Sequence, residues 1–402
     1  MPGATQGINP HRHKALARSG PTLDAASIEP NDAKTRLVGL GTAVPPHRCR
    51  QQDIAAFMAR VAEAQVDCPP RFARYVHRLS RTSAIGHRHT VIADYACTAP
   101  EEFDFFPSNW ALTPSPTTAD RMALYREKSI ELAENAARRA LADADIPAEA
   151  ITHVVVSTCT GFFAPGPDVM LMERLGLAPH VQRSILGFMG CYAGINGLRA
   201  ADHIVRAEPD AVVLQVAVEL CSLHFQSDAD LKHLVSNLLF ADGAAAAVYR
   251  REPSPQTASP AIARTASSVS HDTRDQMGWN IGDHGFVMHL AASVPAHLQT
   301  QAPQFVDALL APDRLLKSDV AGWVVHPGGK RILTAIGQAL RLTDEDLGHS
   351  FAILHDYGNM SSATVLFVLR RLMDSAAGRV SGPAVALSFG PGLTMEGALL
   401  VP

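Results

Sequence analysis

The sequence has no long apolar run. None reaches the roughly 18 residues that a membrane-spanning helix needs, and the first 34 residues hold no apolar core of the kind a signal peptide carries. No integral membrane span is therefore expected, and residues 1–34, with their Pro, Gly, His and Arg, read as a mobile arm. Metal-type cysteine spacing is also missing. The six cysteines lie at 49, 68, 97, 159, 191 and 221, with no CxxC pair, so neither zinc nor a redox dithiol is indicated. Cysteines this sparse fit a reducing cytoplasm. There is no basic excess either: 35 Lys and Arg stand against 39 Asp and Glu, a net charge of −4, which excludes a nucleic-acid-binding surface as the main feature. The one basic cluster, "RFARYVHRLSR" at 71–81, reads as a solvated helix face or as a site for a phosphate-rich ligand.

What is present is an α/β pattern. With 402 residues, 47% of them hydrophobic, the chain can form two packed units or one large duplicated one. Continuous apolar runs at 151–161, 210–220 and 320–329 read as strands buried on both faces, and 35–45 and 243–250 also read as strands. Helical spacing occupies 51–64, 118–145, 192–206, 228–240, 329–341 and 361–376. A hairpin closes the chain at 383–401 around a glycine-rich turn. The Pro/Ser/Thr-rich stretch "REPSPQTASP" at 251–260 marks a boundary between halves of similar order.

Three polar residues sit where buried strands end or helices begin, the places where α/β sheets bind ligands. Cys191 lies in "GFMGCYAGINGL", His326 follows "GWVV", and Asn359 lies in "HDYGNMSSATVLFVL". Singly, each has a structural explanation: a small core thiol, a hydrogen-bonded strand-end histidine, a helix cap. Jointly they match acyl transfer through a thioester. A thiol nucleophile needs a base for its proton, and a developing oxyanion needs donors that an imidazole and a carboxamide can supply.

The segments "GFMGCYAGINGLRAA", "LLFADGAAAAV", "VVHPGG", "YGNMSSATVLFVL" and "SFGPGLTMEG" resemble, in order and spacing, the signature blocks of type III polyketide synthases, the chalcone synthase family. The resemblance runs from about residue 35 to the C-terminus. It implies a thiolase-like fold, with two duplicated βαβαβαββ halves (35–250 and 251–402) in a layered αβαβα arrangement, and a homodimer. It implies acyl-CoA and malonyl-CoA as substrates, with no cofactor beyond these coenzyme A thioesters. Cys191 matches the acyl-carrying nucleophile, its thiolate favoured by a helix terminus and His326. His326 and Asn359 match the pair that stabilises the enolate. Phe240 matches a gatekeeper between the coenzyme A tunnel and the reaction chamber, and Ser361 a substrate contact.

The pocket positions depart from the plant pattern. Met288, in "GFVMHL", replaces a second gatekeeping Phe; Cys221 and His224, in "ELCSLHF", replace two cavity threonines; Trp279 replaces a glycine. Of three basic contacts to coenzyme A phosphates only Arg78 aligns, Tyr75 and Thr82 holding the other places, with Arg74 or Arg81 placed to compensate. The "GWNIGDHGF" region looks similar to bacterial relatives that make alkylpyrones, and these changes point to a medium- or long-chain fatty acyl starter and an alkylpyrone or alkylresorcinol product. The competing readings are an initiating β-ketoacyl synthase that condenses once, a non-catalytic acyl-CoA-binding protein of the same fold, and a cysteine hydrolase, for which the histidine lacks an evident acidic partner.

Overall fold

A computed structural model describes residues 34–252, 259–375 and 382–402. The N-terminal arm to residue 33 and most of the 251–260 boundary lie outside the described residues. The first half runs β1 (Lys34–Ala43), β2 (His47–Arg50), α1 (Gln51–Glu63), α2 (Phe72–Thr82), β3 (His87–Thr90), α3 (Thr118–Ala144), β4 (His153–Thr158), α4 (Pro167–Leu175), β5 (Gln182–Gly187), α5 (Ala193–Ala207), β6 (Val212–Leu220), α6 (Leu231–Leu239) and β7 (Asp242–Glu252). The second runs β8 (Ala261–Val269), β9 (Met277–Gly282), β10 (Gly285–Leu290), α7 (Val294–Leu310), β11 (Gly322–Val325), α8 (Lys330–Leu340), α9 (Gly348–Tyr357), α10 (Thr364–Asp374), β12 (Ala384–Gly390) and β13 (Thr394–Val401).

Nine strands form one sheet in the order β11-β12-β13-β8-β1-β7-β6-β4-β5. The halves meet at a narrow antiparallel seam, where β1 pairs with β8 through Arg36 and Ala261. From that seam outward both sides repeat one pattern. β1–β7 and β7–β6 are antiparallel and β6–β4 parallel; β8–β13 and β13–β12 are antiparallel and β12–β11 parallel. The first half then adds β5, parallel to β4. The second half stops one strand short among the described residues, so it departs from the expected βαβαβαββ order. Where its third strand would lie, the chain makes only a single bridge, Asn359 to Phe240.

Period-two burial sorts the strand side chains into layers. On β7, Ala244, Ala246 and Val248 pack in the core beneath α3, while Ala245, Ala247 and Tyr249 face a central core shared by both halves. On β12, Val385, Leu387 and Phe389 face an outer core with α7 and α8, while Ala384 and Ala386 face the central one. Helices α5 and α10 fill that central core, which gives the αβαβα layering. Ile195, Leu198 and Val205 of α5 are each about 1% exposed, a burial that contributes roughly 1.5–3 kcal/mol per side chain. The two helices abut at their N-termini: a Cβ on Gly194 would stand 2.4 Å from the Ser362 carbonyl oxygen. This contact brings the loop before α5 against the loop before α10.

Candidate active site

Cys191 lies in the first of these loops. The chain leaves β5, takes left-handed backbone at Phe188 (φ 59°) and Gly190 (φ 86°), and enters α5 at Ala193. Glycine is required at 190, because besides its positive φ a Cβ would come within 2.6 Å of Pro391 Cδ. Asn359 occupies the matching place before α10. Its backbone is pinned to the end of α6, with its N–H donating to the Leu239 carbonyl (3.1 Å) and its carbonyl accepting from Ala241 N–H (2.8 Å). His326 follows β11 and donates its backbone N–H to the Leu387 carbonyl at 2.8 Å.

The three side chains line one cavity of about 40 Å³. Asn359 Oδ1 accepts from Ser361 N–H (2.8 Å) and from Thr364 Oγ1 (3.4 Å), which turns Nδ2 toward Cys191 Sγ at 4.0 Å. The His326 ring is buried, and neither of its nitrogens has a partner. An unsatisfied buried donor costs about 1–3 kcal/mol, so a ligand oxygen that accepts from it is favoured.

Burial governs the charges. It pushes the Cys191 thiol up to about 12, with Glu219 raising it further and Ser361, Asn359 and the residue's own backbone N–H pulling it down. It pushes the His326 imidazole down to about 3. Burial thus works against both the thiolate and the imidazolium that the family resemblance implies. Among the described residues no hydrogen bond joins His326 to a carboxylate.

A buried polar network behind the thiol escaped the sequence reading. The Glu219 carboxylate accepts from Cys159 N–H (3.0 Å), Thr160 Oγ1 (2.8 Å), Ser362 Oγ (2.5 Å) and Cys159 Sγ (3.4 Å). Cys159 Sγ also lies 3.2 Å from Ser361 Oγ. The available signal was one carboxylate inside the apolar run "AVVLQVAVEL", where it needs buried donors.

Two halves of one family description match the chain: chalcone and stilbene synthases, N-terminal domain, over residues 24–253, and C-terminal domain, over 262–402. The chain belongs to the chalcone and stilbene synthase family. Among its relatives, an alpha-pyrone synthesis polyketide synthase-like protein, Pks18, of Mycobacterium tuberculosis is 33% identical over 367 residues, 90% of each chain. A 1,3,6,8-tetrahydroxynaphthalene synthase of Streptomyces peucetius subsp. caesius is 32% identical over 92% of this chain and 93% of its own. The crystal structure of PKS-I from the brown alga Ectocarpus siliculosus superposes with a TM-score of 0.85 at 31% identity, covering 92% of this chain and 98% of that one. The chain is thus a type III polyketide synthase of thiolase-like fold, an acyl-transferring condensing enzyme.

For this synthase, all but two of the expected site residues share the Cys191 cavity. Phe240, Met288, Cys221, Trp279 and Ser361 line it with His326 and Asn359. Phe240, Met288, Cys221 and Trp279 also line a second cavity that contains Arg88 and His224, so they form the partition between the two. Trp279 and Met288 face each other across the β9–β10 ladder, and Trp279 Nε1 is fixed by donating to the Cys159 carbonyl at 2.6 Å. His224 is absent from the reactive cavity. Its Nδ1 accepts from Phe286 N–H (2.9 Å), its Nε2 donates to the Thr160 carbonyl (2.8 Å), and its ring stacks on Phe286 at 4.2 Å. Both nitrogens are consumed by backbone, so the ring buttresses the β10 hairpin.

Outside lies a groove of about 570 Å³, within the size range of small-ligand sites. It shares Leu239, Leu290, Gly328 and Ile332 with the Cys191 cavity. Its cations are Lys232, Lys330 and Arg331, with no carboxylate among its lining residues. Arg78 is exposed on α2 and does not line it, nor do Arg74 and Arg81; Leu79, Thr82 and Ser83 do.

Proposed function

We propose that this synthase loads an acyl group from coenzyme A onto Cys191, extends it with malonyl-CoA by decarboxylative condensation, and releases an α-pyrone. The observation that carries the reading is the convergence of two free donors, Asn359 Nδ2 and the unpartnered His326 ring, on the cavity that holds the Cys191 thiol.

In loading, Cys191 Sγ attacks the starter thioester while neutral His326 takes the thiol proton. The proton then passes to the departing coenzyme A thiolate. A malonyl thioester next places its carbonyl oxygen against His326 N–H and Asn359 Nδ2. As carbon dioxide leaves, the electron pair moves onto that oxygen and the two donors hold the enolate. The enolate carbon attacks the Cys191 thioester, a carbon–carbon bond forms, and Cys191 sulfur leaves and is reprotonated. Decarboxylation itself supplies the carbanion, so no metal or further cofactor is required. The chain returns to Cys191 for the next round, and attack of an enol oxygen on the thioester carbonyl closes the pyrone, the carbon–sulfur bond breaking and the enol proton leaving with the thiolate as a thiol.

The outer groove suits the pantetheine arm, and Lys232, Lys330 and Arg331 suit the phosphates of coenzyme A. Arg78, the α2 residue that the family pattern assigns to a phosphate, is on the same helix as Leu79 and Thr82 of the groove lining. The starter we favour is a medium- or long-chain fatty acyl group giving an alkylpyrone. Apolar, flexible Met277 and Met288 in the cavity wall support it, as does the relative whose name specifies alpha-pyrone synthesis.

A homodimer fits the sheet edge. β5 is its terminal strand, and Phe162 and Ile185 near it are 39% and 42% exposed. A reducing cytoplasm fits six free thiols. The deciding experiment is incubation of purified protein with labelled malonyl-CoA and a panel of acyl-CoA starters, with products identified by mass. A pyrone built from two or more extensions supports the reading; a single condensation supports an initiating synthase; no product overturns it.

A further inference from the structure

A helix leaves the carbonyls of its last turn without partners of their own. In α6 those of Asn237, Leu238, Leu239 and Phe240 are all taken from outside the helix. Arg88 Nη1 donates to Asn237 (2.8 Å) and to Phe240 (2.6 Å). Gln51 Nε2 donates to Leu238 (2.7 Å), and Gln51 Oε1 in turn accepts from Arg88 Nε (2.9 Å). The fourth carbonyl, that of Leu239, accepts the backbone N–H of Asn359 at 3.1 Å. The amide donor of the reactive cavity therefore hangs from a helix end that Arg88 holds. The arginine stem adds a further contact, since a Cβ on Gly358, the residue before Asn359, would stand 2.9 Å from Arg88 Cγ.

Arg88 is 5% exposed, and its Nη2 has no partner. Burial pulls the guanidinium down to about 10, which leaves it charged at neutral pH. Among the described residues it makes no ion pair. The buried Asp242 acts on it only through space, its oxygens being taken by Ser222 and by Val91 N–H. A buried cation needs a source of negative charge, and the C-terminus of a helix supplies one, equivalent to about half an elementary charge. Leu239 and Phe240 line the reactive cavity, so this negative helix end borders the place where the proposed mechanism puts the enolate. We propose that Arg88 is a positioning residue for decarboxylation, which fixes the end of α6 from which Asn359 aims its amide and offsets the helix-end charge that would oppose the enolate. The inference rests on the enolate-holding role proposed for Asn359.

The test compares the full chain with Arg88→Lys, which keeps the charge but loses the planar fork, and with Arg88→Met, which keeps an apolar stem alone. Three quantities are read: labelled carbon dioxide released from malonyl-CoA, loading of Cys191 from decanoyl-CoA by intact mass, and amide hydrogen exchange by mass spectrometry. Arg88→Lys is expected to lose about tenfold in kcat for decarboxylation and Arg88→Met about a hundredfold, the latter being the cost of misplacing a group by about 1 Å. KM for malonyl-CoA and the rate of loading should stay within about twofold of wild type. Exchange protection should fall over residues 237–241 and 357–362 and hold over α5. A general packing defect would slow loading as much as decarboxylation, and that result would overturn the proposal. Unchanged decarboxylation in folded Arg88→Lys would overturn it too. If Arg88→Met does not fold, Arg88→Lys decides alone. If the wild type releases no carbon dioxide, the reading of Asn359 fails, and exchange in Arg88→Lys still decides whether Arg88 holds the helix end: unchanged protection over 237–241 and 357–362 would show that it does not.

Discussion

Asn359 presents Nδ2 to the Cys191 sulfur, 4.0 Å away, because its Oδ1 is already held by the backbone N–H of Ser361. In the proposed mechanism the carboxamide is therefore a preset donor at the place where negative charge develops. Replacing it by Asp, equal in shape but without the N–H, is expected to lower turnover by about two orders of magnitude or more. His326→Ala should do the same. Steady-state condensation assays check both, and an unchanged kcat for either would remove that residue from the oxyanion site.

Cys191→Ala should abolish polyketide formation while leaving some release of carbon dioxide from malonyl-CoA. The donors that hold the enolate remain, and only the acyl carrier is lost. Labelled carbon dioxide and product mass are measured on one sample; product made from an acyl starter by the variant would contradict the assignment.

With the thiol pushed up to about 12, the thiolate fraction near neutral pH is small and grows as pH rises. Alkylation of Cys191 by iodoacetamide should then be slow at neutral pH and climb from about pH 6 to about pH 10 without a plateau. His326→Ala should leave the neutral-pH rate unchanged, because burial disfavours an imidazolium at that position. A plateau already reached at pH 7, or a slower rate in the His326 variant, would restore the ion pair. Tryptic mass spectrometry reads the site.

Trp279 separates the reactive cavity from the cavity beyond it. Removing the indole in Trp279→Gly should join the two and shift preference to longer acyl starters. In the wild type, kcat/KM should rise with alkyl length across acetyl, hexanoyl and decanoyl-CoA, since each buried methylene contributes roughly 0.8 kcal/mol. Coumaroyl-CoA winning the competition, or no dependence on length in either protein, would sink the alkyl-starter assignment.

The parts of this enzyme that were legible in its sequence are those set by local pattern. β4, β6 and β12 read as continuous apolar runs because both faces of the sheet are covered. Cys191, His326 and Asn359 were visible as polar residues at the ends of such runs. The Glu219–Cys159–Ser361 network was not, because its members lie up to 202 residues apart and meet only through the β4–β6 ladder and the abutting central helices. His224 was misplaced because its neighbour Cys221 faces the reactive cavity, while its own ring is turned away to serve two backbone groups. The missing strand of the second half was hidden for a related reason: Asn359 keeps the strand-to-helix position of Cys191 but needs only one backbone bridge to hold it.

The repeated strand pattern has a consequence for how activity is lost. Cys191 and Asn359 occupy corresponding places in two copies of one architecture, so in the proposed mechanism covalent capture belongs to one copy and charge stabilisation to the other, and both are needed for turnover. A fluctuation that parts α5 from α10 would separate the sulfur from its amide donor while leaving most secondary structure in place. The proposed mechanism thus makes catalysis depend on the fit between the two copies as well as on the integrity of each.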